Sequence, residues 1–257
     1  MKIVTIGAGN LAFHLTKALQ AGGFEIAQVY SRTQASASKL AEELNVPYTT
    51  DIGCITGDAS LFIISVSDCA IRPLVAKLPS LEGLVVHTAG SVPMNVFSGK
   101  LRNYGVLYPL QTFSKSHQID FSEIPVFLEA NTHDNMQILR AVAETISQKV
   151  YHASSDERIQ LHLAAVFGCN FVNHLYHLSA QLAREAGFDF SVLSALLLET
   201  VRKALASESP NEVQTGPAAR NDRELIRKHL DMLSSQPEWA EIYGIITKNI
   251  IKMKIKE

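Results

Sequence analysis

The stretch "IVTIGAGNLAFHL" (residues 3–15) decides the fold class. An apolar run of strand type leads directly into a G-x-G-x-x-A sequence, and a helical pattern follows at once. This is the dinucleotide-binding fingerprint in the strand-turn-helix setting that it requires. The first glycine makes the tight turn, the second lets a pyrophosphate approach the backbone, and the free N–H groups of the helix N-terminus attract phosphate. We therefore expect a dinucleotide to bind at Gly7, Ala8, Gly9, Asn10 and Leu11, the alternative being a Rossmann domain that has lost this function.

The end of the second predicted strand, "QVYSRT" (28–33), indicates which dinucleotide binds. Enzymes that use NAD usually carry an acidic residue here, which binds the ribose hydroxyls. This chain has Tyr30 or Ser31 at that position instead, followed by Arg32. A carboxylate would repel a 2′-phosphate, whereas an arginine beside a hydroxyl group binds it. The sequence therefore favours NADP(H) over NAD(H), and the alternative for Arg32 is a solvated surface residue.

Polar residues follow three later strands, in "SVSD" (65–68), "HTAGS" (87–91) and "LYPLQTFSK" (107–115). Because ligands of open α/β sheets bind at the carboxyl ends of the strands, we expect these segments to face the cofactor. The first would line the ribose and the second the nicotinamide, while the third would contact a ligand or the other domain. Capping is the preferred reading of Asp68, and a plain turn is the alternative at 89–91. The residues concerned are Ser65, Val66, Ser67, His87, Thr88, Gly90, Tyr108, Gln111 and Thr112.

The chain as a whole changes character after Ala153. Before it, short apolar runs alternate with helical patterns, as a parallel sheet with crossover helices requires. After it, helical patterns fill the remaining sequence. We expect an α/β fold, with a Rossmann dinucleotide-binding domain over 1–153 and a smaller all-α domain over 154–257. The candidate strands are 2–7, 25–31, 47–49, 61–66, 84–89, 104–110, 125–130 and 149–153.

The first helical segment, "RIQLHLAAVFGCNFVNHLYHL" (158–178), carries polar residues along one stripe. A regular step of about 100° per residue aligns His162, Val166, Cys169, Asn173 and His177, with Asn170 beside them. Reduction of a carbonyl or imine needs a hydride and a proton donor, and histidine can supply the proton. His162 or His87 is the candidate donor, with Asn170 and Asn173 orienting the substrate; a structural histidine is the alternative. No metal is expected, because no third ligand accompanies the His174–His177 spacing.

The segment "QTGPAARND" (214–222) interrupts the later helices. Gly216 and Pro217 predict a turn, and Asn221 with Glu224 predicts a capping box for the next helix. The turn and the capping box do not explain why Thr215 and Arg220 are present. We expect them to bind substrate, with the Arg220 guanidinium holding a carboxylate bidentately.

These segments together resemble, across nearly the whole chain, Rossmann-like proteins with the C-terminal domain of unknown function 2520. That family is similar to pyrroline-5-carboxylate reductase, ketopantoate reductase, 6-phosphogluconate dehydrogenases and deazaflavin-dependent NADP oxidoreductases. The resemblance implies an NADP-binding domain, an all-α domain that completes the active site, and a homodimer formed through the helices. Tyr108 stands where members often have histidine, and Asn221 where they often have glycine. His162 takes the place of the catalytic lysine found in some reductase relatives.

Composition excludes other classes of function. The 257 residues are 47% hydrophobic with a formal net charge of −2, so nucleic acid is not an expected partner. The apolar runs are too short for a membrane span or a secretory signal. Three cysteines, an odd number, suit reduced thiols and a cytoplasmic protein. We expect an NADP(H)-dependent oxidoreductase acting on a small carboxylate-bearing carbonyl or imine in a crevice between the domains. The rivals are a non-catalytic dinucleotide-binding sensor or assembly protein and a deazaflavin:NADP oxidoreductase.

Overall fold

The computed structural model describes residues 1–255, and its first half is built on one eight-stranded sheet. The strand order is β3-β2-β1-β4-β5-β6-β7-β8. All eight strands lie where the sequence predicts them. Their bounds are β1 Lys2–Ile6, β2 Glu25–Tyr30, β3 Tyr48–Thr49, β4 Leu61–Ile64, β5 Leu84–His87, β6 Tyr104–Pro109, β7 Val126–Ala130 and β8 Val150–His152.

The last two strands run opposite to the first six. β7 pairs antiparallel with β6, whereas every other neighbouring pair, β7 with β8 included, is parallel. A parallel pair needs a long crossover connection, but an antiparallel pair does not. The parallel pattern expected from the sequence therefore ends at β6. The sheet remains of the Rossmann type, with its first six strands parallel.

Helices cover both faces of the sheet, and the two faces have separate apolar cores. α1 (Asn10–Ala21), α2 (Gln34–Leu44) and α4 (His133–Ile146) cover one face, and α3 (Asp68–Lys77) covers the other. Successive strand residues alternate between the two cores, as Ile3 and Val4 do. All four residues of β4 are buried, as in a strand covered on both faces.

Four further helical segments follow the sheet: α5 (Ser155–Ala165), a π-helical turn (Val166–Phe171), α6 (Val172–Glu185) and a 3₁₀ turn (Phe190–Leu193). They are followed by α7 (Ser194–Ala206), α8 (Arg223–Met232) and α9 (Pro237–Lys254). α5 begins with a capping box in which Ser154 and Glu157 bond reciprocally. Within residues 1–255 no helix is both long and apolar enough to cross a membrane.

The described chain divides into two compact units. The first is Met1–Asn170 and the second begins at Phe171, so the division falls within the π-helical turn. The first unit therefore contains the sheet together with α5. In the second unit α8 packs on α9, where His229 Nδ1 hydrogen-bonds the Tyr243 hydroxyl at 2.8 Å. The functional boundary between residues 153 and 154 stays a prediction.

Candidate functional site

The glycine turn after β1 has the geometry that a dinucleotide phosphate needs. Gly7 has φ of +122°, and a Cβ there would lie 2.1 Å from the Ser65 carbonyl oxygen, so only glycine fits. Gly9 has an ordinary φ of −73°, and among the described residues no atom lies within 4 Å of the Cβ position. Gly9 precedes the first residue of α1, and its missing side chain leaves the helix N-terminus open. The turn therefore presents free N–H groups to an approaching anion.

A cavity of about 1360 Å³ opens at this turn and runs along the carboxyl ends of the strands. All its lining residues belong to the first unit, Met1–Asn170. They include every residue predicted to bind the cofactor: Gly7, Ala8, Gly9, Asn10, Leu11, Ser31, Arg32, Ser65, Val66, Ser67, Thr88 and Gly90. Tyr108, Gln111, Thr112, His162 and Asn170 also line it. Residues from five strand ends and from α5 thus meet in one cavity.

One end of the cavity, which we call the phosphate end, is rich in hydroxyl groups beside a cation. It is formed by the glycine turn and by residues 30–36. Ser31 is buried and Arg32 is exposed, and no carboxylate among residues 1–255 forms an ion pair with Arg32. The Thr33 hydroxyl donates to the Ser36 hydroxyl at 2.9 Å. Guanidinium and hydroxyl groups of this kind are suited to binding a phosphate monoester.

The other end, which we call the reacting end, brings together Gly90, Tyr108 and His162. The Tyr108 hydroxyl hydrogen-bonds His162 Nδ1 at 3.2 Å. A Cβ on Gly90 would lie 2.7 Å from that nitrogen and 2.8 Å from the hydroxyl, so glycine is needed for the pair to sit there. Burial raises the pKa of Tyr108, an effect that Arg158 partly opposes and Asp68 reinforces. The phenol is therefore protonated at neutral pH and can donate to the imidazole.

Two parts of the chain are similar to known protein families. Two family models match: the coenzyme F420-dependent NADP oxidoreductase family over residues 2–89 and the domain of unknown function DUF2520 over residues 124–250. The crystal structure of a putative NADP oxidoreductase from Bacteroides fragilis shares 46% sequence identity with a TM-score of 0.91, and 98% of each chain is covered. The chain belongs to this NADP oxidoreductase family with a DUF2520 domain.

More distant structures share the fold of this DUF2520 oxidoreductase. A pyrroline-5-carboxylate reductase from Streptococcus pyogenes has 12% identity and a TM-score of 0.65, with 98% of each chain covered. An imine reductase from Myxococcus stipitatus, in complex with NADP+, has 16% identity and a TM-score of 0.69, covering 100% of this chain and 94% of that one. No curated protein matches the chain significantly in sequence.

His87, the second candidate proton donor, lies below the cavity rather than in its wall. It is fully buried, packs on Phe97 with ring centroids 5.4 Å apart, and accepts the Ala89 N–H at Nδ1. Burial, together with the nearby Arg158, lowers the pKa of His87 to about 3, while the Pro93 carbonyl raises it slightly. The imidazole is therefore neutral and shielded. These surroundings disfavour proton donation to a ligand in the cavity.

Arg158 is a buried residue beside this cavity that sequence reasoning missed. Its side chain is fully buried on α5, and one terminal nitrogen donates to the carbonyl oxygens of Ala89, Gly90 and Val92 at 2.9, 3.0 and 2.7 Å. The other terminal nitrogen pairs with Glu129 at 3.0 Å. Arg158 therefore holds the loop that carries Gly90 against the helix that carries His162. The only sequence feature that could have identified Arg158 is its position, one helical turn before His162.

Asp68 has a different role from the expected cap. It is the first residue of α3, and the residue before it makes no side-chain capping bond within the described chain. The Asp68 carboxylate instead accepts a hydrogen bond from the Ser91 hydroxyl. This bond links the loop after β4 to the loop after β5, where the cavity wall passes from one strand to the next.

The predicted polar stripe assumed a regular α-helix, and the π turn at Val166–Phe171 breaks that regularity. Its hydrogen bonds run from residue i to i+5, so the step of about 100° does not hold across it. His162, Cys169 and Asn170 line the cavity, whereas Val166 does not. Asn173 lies on α6 in the second unit. The stripe is therefore wrong as a single face, and π turns of this kind occur often at functional sites.

Thr215 and Arg220 lie in the second unit, in the segment before α8, and both are exposed. No ion pair holds the Arg220 guanidinium within residues 1–255. Gly216 has the positive φ of +102° that a turn predicts. The predicted capping box from Asn221 is wrong. Asn221 has a left-handed backbone conformation, and Asp222 caps α8 by accepting the Leu225 N–H at 3.1 Å.

The described residues contain no cluster of three or more metal-ligating side chains.

Proposed function

We propose that the chain is an NADP(H)-dependent reductase of a small carbonyl or imine compound. The observation that carries this proposal is the single cavity whose phosphate end holds the glycine turn and Arg32 and whose reacting end holds the Tyr108–His162 pair. A dinucleotide is long enough to need both ends, and each end has the chemistry that the corresponding part requires. Family membership supports the same class of reaction.

The preference for NADP(H) over NAD(H) rests on residues 31–36. Arg32 is a free cation beside the hydroxyls of Ser31, Thr33 and Ser36, and no acidic residue lines this end of the cavity among the described residues. The adenosine 2′-phosphate would accept hydrogen bonds from these groups. The pyrophosphate would lie on the N–H groups of Asn10 and Leu11, with the nicotinamide towards Thr88 and Gly90. The Myxococcus imine reductase binds NADP+, and a variant of it binds NAD+.

The bound cofactor would supply a hydride to the electrophilic carbon of the substrate, and the chain's own residues would supply the proton. We infer that His162 protonates the nitrogen or oxygen that gains negative charge as the hydride arrives. The Tyr108 hydroxyl would donate a hydrogen bond to His162 Nδ1, which would fix the orientation of the ring and leave the ring proton on Nε2. Asn170, which also lines the cavity, would orient the substrate, and Asn173 remains a candidate for the same role.

Two polar segments of the sequence are the candidates for substrate binding. Gln111 and Thr112 offer exposed polar groups, and the Thr112 N–H already donates to the Gln111 side chain at 2.8 Å. Arg220 would bind a substrate carboxylate, assisted by Thr215, because its guanidinium is exposed and unpaired within the described chain. Because Arg220 would bind a carboxylate, the substrate would have to carry one, as short oxo acids and imino acids do.

A homodimer formed through the helical part also belongs to the proposal. Apolar side chains on one face of α7 are exposed: Leu198, Val201 and Leu205, spaced three and four residues apart, show 68%, 46% and 83% of their surface. Exposed apolar side chains that share a helix face favour association. Light scattering after size-exclusion chromatography should give twice the chain mass, and Leu198→Asp should reduce it to the chain mass.

The test is a titration with NADPH and NADH followed by turnover with cyclic imines, oxo acids and ketones. We expect NADPH to bind at least about tenfold more tightly than NADH, because a charge-assisted contact contributes about 1.5–3 kcal/mol. His162→Ala should lower turnover by about 10²–10⁴-fold while leaving NADPH affinity nearly unchanged. The control is His133→Ala, an exposed histidine of α4, which should retain full turnover.

Two other outcomes identify the rivals. Tight NADPH binding with no turnover of any compound would make the chain a dinucleotide-binding sensor. Oxidation of NADPH by an oxidised deazaflavin alone would make it a deazaflavin oxidoreductase, which the match of residues 2–89 favours. Equal turnover by wild type and His162→Ala would remove His162 from the mechanism.

A further inference from the structure

A loop far along the chain lies across the dinucleotide-binding turn. Residues 111–117, which we call the strap, follow β6 and return over the start of α1. The Asn10 amide donates to the Phe113 carbonyl at 2.9 Å, and His14 Nε2 bonds the Ser114 carbonyl at 2.9 Å. The Phe113 ring stacks on Phe121 with centroids 6.2 Å apart. Two residues of the first turns of α1 therefore hold the strap in place beside the predicted phosphate site.

The strap places one cation against the glycine turn itself. Lys115 Nζ donates to the carbonyl oxygen of Ala8, the residue between the two glycines, at 3.0 Å. The same ammonium lies 5.6 Å from the centre of the Phe13 ring. An ammonium group has three N–H donors, and this bond uses one of them. Two donors thus remain for an anion at the turn.

The charge of Lys115 has no counterion. Its side chain is half-buried, and no carboxylate within residues 1–255 forms an ion pair with it. Burial and repulsion by Lys39 of α2 lower the pKa of Lys115. Lys39 also has no ion pair in the described part of the chain. The repulsion between these two cations would be relieved by an anion bound beside Lys115.

We propose that Lys115 is a further cofactor-binding residue, which the strap holds in position to bind the pyrophosphate of the dinucleotide. The inference rests on the proposed function, because it assigns a further contact to the same dinucleotide. Lys115 does not itself line the cavity, but it bonds Ala8, which does. The backbone N–H groups of the turn and the Lys115 ammonium would then bind the pyrophosphate together. Because it lies more than 100 positions from the glycine motif in sequence, no local pattern reveals this residue.

An alternative role for Lys115 is purely structural, since its bond to Ala8 also ties down the strap. The two roles predict different effects of a Lys115 substitution on the affinities for NADPH and for 2′-AMP. A pyrophosphate contact strengthens the binding of NADPH but not of 2′-AMP, which has no pyrophosphate. A structural tie would affect both ligands, because the strap and the glycine turn would move together.

The experiment measures the dissociation constants of NADPH and 2′-AMP for wild type, Lys115→Met, Lys115→Arg and Lys17→Met. Lys17 is the matched control, because its ammonium also lies over the Phe13 ring, at 4.8 Å, but pairs with Glu43. Lys115→Met should weaken NADPH binding about tenfold and leave 2′-AMP binding unchanged, since a hydrogen bond to a charged group contributes about 1.5–3 kcal/mol. Lys115→Arg should stay close to wild type, and Lys17→Met should match it.

Three results would overturn the inference. They are unchanged NADPH affinity in Lys115→Met, an equal loss of 2′-AMP affinity, or a similar loss in Lys17→Met. If Lys115→Met does not fold, Lys115→Gln replaces it, because glutamine can still donate to Ala8 without a charge. Wild type that fails to bind NADPH at all contradicts the proposed function itself, which separates the two failures.

Discussion

The two ends of the cavity are assembled from the chain in different ways. At the phosphate end the wall comes from residues 7–11 and 30–36, two short segments that each follow a strand. At the reacting end it comes from residues 88–90, 108–112 and 161–170, which are far apart in sequence. The first end depends on local backbone geometry. The second depends on long-range contacts, above all the Arg158 bonds to the loop after β5.

This difference predicts different sensitivities. Substitutions at the phosphate end should change cofactor binding through the shape of one turn. Substitutions at the reacting end should act through buried polar groups, whose loss leaves partners unsatisfied. Three variants test this contrast, and they are given in order of decreasing effect.

Arg158→Met should have the largest effect on stability. It leaves the Glu129 carboxylate and three carbonyl oxygens without their partner in a buried place. Breaking a buried ion pair in this way costs about 3–5 kcal/mol. Urea unfolding measures the difference, with Arg140→Met as the control, because the Arg140–Glu144 pair is exposed and should contribute no more than about 0.5 kcal/mol. Similar unfolding free energies for the two variants would mean that Arg158 does not hold the reacting end together.

Gly7→Ala should disrupt the phosphate end through the backbone. A positive φ at a residue with a side chain costs about 1–3 kcal/mol, and the contact with the Ser65 carbonyl adds overpacking of about 1–3 kcal/mol. Unfolding in urea should therefore show a loss of at least about 2 kcal/mol, the sum of the two lower values, and NADPH binding should disappear.

Gly9→Ala, two residues away, is the matched control for this turn. Its φ is ordinary and its Cβ position is open, so stability should change by about 1 kcal/mol or less. NADPH affinity should still fall, because the added methyl group occupies the space left for the pyrophosphate. Gly9→Ala with normal affinity would place the pyrophosphate elsewhere.

His87→Gln should reduce the sensitivity of the fold to acid. The folded protein holds the pKa of His87 at about 3. The unfolded chain takes up a proton near pH 6.5, so between these values the unfolded state binds more protons. Stability is therefore lost as the pH falls, at about 1 kcal/mol per pH unit, or about 2 kcal/mol from about pH 6 to about pH 4. Glutamine cannot titrate and still offers an acceptor to the Ala89 N–H.

The measurement for His87 is the free energy of unfolding at several pH values. The His87→Gln curve should be flatter than that of wild type by about 2 kcal/mol over this range. His133→Gln, which changes an exposed histidine, should run parallel to wild type. Parallel curves for wild type and His87→Gln would mean that His87 titrates normally.

The phosphate end could be predicted from the sequence because its determinants are local. The pattern of Gly7 and Gly9 after an apolar strand specifies a turn and a helix N-terminus without reference to the remaining chain. The end of β2 fixes Ser31 and Arg32 in the same way. All eight strands were also predictable, since runs of apolar residues mark them directly. The direction of β7 was not, because a short strand has the same pattern in either direction.

The reacting end could be predicted only in part. His162 and Tyr108 were both identified as candidates, but their hydrogen bond joins residues 54 positions apart. His87 was expected near the nicotinamide because it ends β5, yet strand alternation places it with Val85 on the face that packs on Phe97. Arg158 reads as a surface residue of an amphipathic helix, and only the folded loop supplies its partners. The π turn has no established sequence signal.

A crystal structure of the protein with NADPH tests the central claim most directly. We predict that the 2′-phosphate lies within hydrogen-bonding distance of Ser31 and Arg32. The nicotinamide ring should lie beside Gly90 and face the Tyr108–His162 pair. A nicotinamide ring at the phosphate end, or NADPH bound outside this cavity, would contradict this claim.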